Sequence, residues 1–222
     1  MSTRFSRIVA IIALCVGPLT LIVTNIAQWM LQPRGAHPTP ADVAAQFPAV
    51  WLAIGSLAVF GPLVWLAGLP AVAALAPRRG AHLTAIGTLV TGAGLAAGIG
   101  HLAAFFGGYG AIAMAALPGD AGAAMVSATD AEPLGGVLLI VFLICYSIGP
   151  VVLALGLRIA RRVAVWVPIA AILTAGANLF GGPIAGVVQL VALAATWGAI
   201  IVAVARSDVR PVPDPVLRPR TA

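Results

Sequence analysis

Apolar residues run through this chain in long blocks, separated by short gaps that hold the arginines, the acids and many of the prolines. The blocks cover 8–31, 48–76, 83–106, 134–157, 163–181 and 183–205. A helix needs about 20 apolar residues to cross the hydrocarbon core of a bilayer, so each block predicts a transmembrane helix. The last two form one apolar stretch broken by Gly181-Gly182-Pro183, punctuation that predicts a tight turn between two short helices. The first block follows Arg4 and Arg7, as a signal peptide would. It is too long for one and has no small-x-small cleavage site, so a retained signal-anchor helix is expected. The predicted fold is all-α, a polytopic bundle of six transmembrane helices over residues 1–205.

The gaps carry their own signals. In the gap 32–47, Thr39-Pro40-Ala41-Asp42 combines an N-cap residue, a proline at the first helical position and an acid at the third. A short surface helix is expected there. The gap 107–133 reads as a long loop. Thr129 and Glu132 have capping-box spacing at the mouth of the fourth span. After residue 205, prolines at 211, 213, 215 and 219 forbid a helix, and 206–222 is expected to be a disordered cytoplasmic tail rich in Pro and Arg.

Charge sets a direction. With the N-terminus inside, the inner segments hold Arg4, Arg7, Arg78, Arg79, Arg158, Arg161, Arg162, Arg206, Arg210, Arg218 and Arg220, and the outer segments hold Arg34 alone. Such an imbalance follows the positive-inside rule and predicts N-in, C-in topology in a plasma or inner membrane. It also requires an even number of spans. Asp42, Asp120, Asp130 and Glu132 fall outside.

Composition agrees with a chain solvated by lipid. It is 61% hydrophobic and 8% charged, with a mean hydropathy of +1.09, against about 25% charged residues in soluble domains. The net charge is +6 and the pI near 11.0, but the basic residues sit between apolar runs rather than on one soluble face with aromatics. No nucleic-acid partner is implied. All the basic residues are Arg, which, with abundant Ala and Gly, fits a high-GC bacterial genome. Cys15 and Cys145 lie within apolar blocks and have no metal-ligand spacing, so neither metal nor cofactor is expected. Phosphate-binding loops and hydrolase or metalloprotease motifs are also missing.

Polar residues inside a membrane are costly, so their placement points to function or to packing. In the predicted orientation Asn25, Gln28, His101, Asn178 and Gln189 all lie in the outer half of the bundle. Asp42, Asp130 and Glu132 stand at its outer mouth, and Tyr146 lies near mid-membrane. On the third helix Gly87, Thr91, Gly94, Gly98 and His101 follow a heptad seam of small residues, which turns His101 toward the bundle. One reading is a polar pocket opening outward around His101, lined by Trp29, Trp51, Phe105, Phe106 and Tyr109. The other is that the polar groups are cross-helix hydrogen bonds and the aromatics an interfacial belt. For Asp42 and Glu132 the alternative to chemistry is helix capping. Gly17-Pro18, Gly61-Pro62 and Gly149-Pro150 interrupt three helices, as helix kinks or as the breaks of a transporter.

In size, span count and composition the whole chain resembles the small integral-membrane terpene cyclases of bacterial indole-terpenoid pathways, with no single motif carrying the likeness. That resemblance implies a lipophilic, prenylated substrate and an acid that protonates an alkene. Asp42, Asp130 or Glu132 would be the acid, with His101 or Asn25 orienting it. Asn25, Gln28, Trp29, Trp51, Phe105, Tyr109, Tyr146, Asn178 and Gln189 would contact substrate. Two other readings stand beside it: a small transporter or immunity protein working as a homo-oligomer, and a membrane subunit with no site of its own.

Overall fold

The computed structural model describes residues 3–31, 39–117, 119–180 and 182–207. Among them are eight helices and no strand: α1 (Thr3–Leu31), α2 (Pro40–Gln46), α3 (Pro48–Ala73), α4 (Ala81–Ala115), α5 (Gly119–Asp130), α6 (Pro133–Ile159), α7 (Trp166–Phe180) and α8 (Gly182–Arg206). Five of these, α1, α3, α4, α6 and α8, are long and apolar enough to cross a membrane. α7 is apolar but has only 15 residues, about 22 Å at 1.5 Å per residue, against a hydrocarbon core of about 30 Å. Of the expected tail 206–222, Arg206 instead closes α8 and 208–222 lies outside the described residues, as does the 32–38 part of the first outer gap.

The largest departure from the expected spans lies between the third and fourth apolar blocks. The third apolar block ends at 106 in the sequence, but α4 continues to Ala115, and most of the rest of the supposed loop 107–133 forms α5. Gly107, Gly108 and Gly110 weaken a helix, yet they do not end this one. Tyr109 and Ile112 are buried in a cluster with Ala41 of α2, and that burial holds the glycine-rich turns helical. The helix instead stops at Ala116, whose φ of 47° is left-handed. α7 ends at Phe180 and α8 begins at Gly182, beside the expected break. Gly182 takes a φ of 85°, which a residue with a side chain rarely adopts, and Pro183 follows inside the first turn of α8.

The helices close into a ring in chain order. α1 packs on α3, α3 on α4, α4 on α6, α6 on α7 and α7 on α8, and α8 returns to α1. Successive helices run antiparallel. Gly17 faces Trp65 and Gly68 faces Leu14 across α1 and α3. Arg7 Nη1 donates to the Ser207 carbonyl at one end of the α1–α8 contact (3.0 Å), while Trp29 covers Gly186 at the other. Trp65 and Trp197 meet edge to face at the centre, with ring centroids 4.7 Å apart, and Tyr146 lies 6.1 Å from Trp65. All three are at most 2% exposed. Leu89, Ile148 and Ile184 are among the many large apolar side chains on the outer flanks of the ring.

The tightest seam joins α4 to α6. A Cβ on Gly94 would stand 2.7 Å from the Tyr146 nitrogen, and one on Gly149 2.5 Å from the Thr91 nitrogen. A Cβ on Gly156 would stand 2.5 Å from the Thr84 nitrogen. Between lipid-embedded helices there is little hydrophobic drive, and close backbone approach supplies dispersion contacts instead. The buried hydroxyls Thr91, Thr174 and Thr196 bond carbonyls four residues back on their own helices.

The ring has two unlike ends. Arg4, Arg7, Arg78, Arg79, Arg158, Arg161, Arg162 and Arg206, all the described arginines, gather at one end. Arg162 Nε there donates to the Leu75 carbonyl at 2.8 Å. Asp42, Asp120, Asp130 and Glu132, all the described acids, gather at the other.

Candidate functional site

At the acidic end α2 lies across α3 and α4. The Thr39 signal acts as expected. Thr39 Oγ1 accepts from the Asp42 nitrogen, and Asp42 Oδ2 accepts from the Thr39 nitrogen at 2.9 Å and from its hydroxyl at 2.8 Å. Glu132 also caps, in a different geometry from the predicted box. It is itself the N-cap of α6, with its carboxylate accepting from the Leu134 nitrogen (2.9 Å) and the Gly135 nitrogen (2.5 Å). The Thr129 hydroxyl does not complete the box, because it donates to the Met125 carbonyl within α5; Thr129 meets Glu132 only through its own carbonyl, which accepts from the Glu132 nitrogen at 3.4 Å. Asp130, the last residue of α5, accepts a hydrogen bond from the Tyr109 hydroxyl.

The structure distributes the remaining candidates among separate places. His101 Nδ1 stands 3.1 Å from the Gly135 carbonyl, at the top of the α4–α6 seam. Asn25 donates to the Leu21 carbonyl of its own helix. Gln189 Nε2 donates to Asn178 Oδ1 (3.0 Å), and Asn178 Nδ2 donates to Ser147 Oγ (3.1 Å), a relay that ties α8, α7 and α6 together. Ser147 is the member of that relay which the polar pattern did not single out. Its signal was a hydroxyl on the helix that faces Asn178. Tyr146 is buried with Trp65, and its hydroxyl finds no partner among the described residues. Trp29, 40% exposed, lies over Gly186.

What does assemble at the acidic end is aromatic. Trp51 Nε1 donates to the Phe106 carbonyl at 2.9 Å, and its ring packs 4.8 Å from Phe106 and 5.9 Å from Phe105. Phe105 in turn packs 4.9 Å from Tyr109. Trp51 and Phe106 form a wall shared by two cavities. On one side is a small pocket of about 90 Å³ beneath α2, with Gln28, Val43, Ile54 and Phe105 around it. On the other is an apolar groove of about 900 Å³ along α3 and α4, bordered by Leu52, Gly55, Phe60, Gly107 and Met114. A Cβ on Gly107 would meet nothing within 4 Å. The groove was not legible in the sequence because its two walls, 44–60 and 103–114, lie on separate helices.

Among the described residues no Asp, Glu, His, Cys or Arg borders the groove, and His101 borders neither cavity. Ser56, whose hydroxyl already donates to the Leu52 carbonyl, is the polar side chain there besides Trp51. Such a surface can hold an apolar molecule and offers little for moving protons. Among the described residues no group of His, Cys, Asp and Glu is arranged to hold a metal ion. Compared with known proteins, the chain matches no family model, no curated sequence and no solved structure.

Proposed function

We propose that this chain is a six-span plasma-membrane protein with both termini in the cytoplasm, and that it holds a lipophilic small molecule in the α3–α4 groove. The single observation that carries the reading is the groove itself. It is large, apolar and set into the flank of a bundle whose outer surface suits lipid. Ligand pockets typically measure about 300–1,000 Å³ with mostly apolar walls and few polar groups. The charge division between the two ends supports the orientation, which puts the groove in the outer half of the bilayer.

A diazirine-bearing isoprenoid alcohol tests the proposal in reconstituted protein. It should label 48–60 and 103–114 well above the other helices. Gly107→Trp should cut that labelling about tenfold, since its side chain would leave the backbone into open space at the groove. Uniform labelling of all lipid-facing helices, or labelling indifferent to Gly107→Trp, would overturn it.

The second reading is a cyclising enzyme of the kind the chain resembles, and the Tyr109–Asp130 pair beside Phe105 favours it. Proton donation needs a carboxylic acid kept neutral near aromatic faces. Among the described residues no acid borders the larger groove, so binding ranks first. Turnover of a prenylated indole that disappears in Asp130→Asn would reverse that order.

A further inference from the structure

The arginine-rich end holds a second built cavity. It measures about 500 Å³ and lies between the start of α7 and the last turns of α8. Arg161, Arg162 and Arg206 line it, together with Val167, Ala199 and Val202 among its apolar walls. Local structure sets the backbone at Arg161 and holds the Arg162 side chain. The α6 terminus ends with Arg161 in the left-handed region (φ 57°) and the Arg162 nitrogen bonded to the Leu157 carbonyl at 2.9 Å. Arg162 Nε is held by the Leu75 carbonyl. Guanidinium groups match phosphate geometry with paired N–H donors. No described acid lies at this end to neutralise them, and Asp208 and Asp214 lie outside the described residues.

We propose that this cavity binds one anionic phospholipid from the cytoplasmic leaflet, with its phosphate on the three guanidinium groups and an acyl chain along α8. The site is separate from the α3–α4 groove and shares with that reading only the membrane orientation. Two observations select a lipid over free phosphate. The cavity continues from charged mouth to apolar wall, where a Cβ on Gly198 would meet nothing within 4 Å. Trp166, 48% exposed, stands beside the mouth, where an interfacial anchor belongs. Basic pockets between helices on the cytoplasmic side are suited to lipid phosphates.

Native mass spectrometry of the full-length protein in detergent, titrated with phosphatidylglycerol and phosphatidylcholine, reads the site. The wild type should prefer phosphatidylglycerol about tenfold or more, and Arg161→Gln/Arg206→Gln should abolish the preference. Arg78→Gln/Arg79→Gln removes the same charge from the same end and should leave the preference within about twofold. Gly198→Leu should weaken binding of both lipids without a change of charge, and thermal melting confirms that each variant is folded. Equal loss in the two double variants would reduce the effect to general surface charge and overturn the site. Displacement of phosphatidylglycerol by millimolar inorganic phosphate, with Gly198→Leu silent, would replace the lipid with free phosphate.

Discussion

Single residues decide how closely this ring packs, and the glycines show it most directly. Gly149 leaves 2.5 Å between a would-be Cβ and the Thr91 nitrogen, whereas Gly176 of α7 faces open space. Gly149→Leu should therefore force α4 and α6 apart, at a cost of about 1–3 kcal/mol or more. Gly176→Ala should leave the melting temperature unchanged or raise it, since replacing a mid-helix glycine stabilises by up to about 1 kcal/mol. Melting curves in one detergent compare the two. Half of this seam was legible, because Gly87, Gly94 and Gly98 repeat at heptad-like spacing. The other half was not, because Gly149 precedes a proline and reads as a kink. The Asp42 cap was also legible from four consecutive residues. The Tyr109–Asp130 bond was hidden, since it joins residues 21 apart across a segment that glycines disguise as loop.

At the scale of helices, hydropathy located the long elements well, because a lipid-facing helix has to be apolar over its whole length. It placed the end of α4 too early, because burial beneath α2 and not hydropathy sets that boundary. α7, the shortest of the ring helices, is held by the Gln189–Asn178–Ser147 relay. Asn178→Leu breaks both bonds and should destabilise the protein by about 1 kcal/mol, since interhelical bonds average about 0.6 and reach about 1.7 kcal/mol each. Adding Ser147→Ala should cost little more, because its partner is already gone. Additive losses in chemical denaturation of the single and double variants would show that the relay does not act as a unit. The polar residues that the sequence grouped by depth thus separate by face, which one-dimensional spacing did not resolve between helices.

For the whole molecule, the division of charge predicts a topology. A reporter fused after Thr221 should be active only as a cytoplasmic marker, and a cysteine replacing Ser127 should react with impermeant maleimide added to intact cells. Periplasmic activity of the Thr221 fusion would limit the bundle to five crossings. The ring also has a consequence for biogenesis. Its closing contact, Trp65 against Trp197, joins residues made far apart in time, and α8 is the last ring helix to leave the ribosome. Until then α1 keeps one flank unpaired and Trp65 lacks its neighbour. A nascent chain that stalls before residue 182 therefore enters the bilayer as an open arc, the form in which membrane quality control has most to recognise.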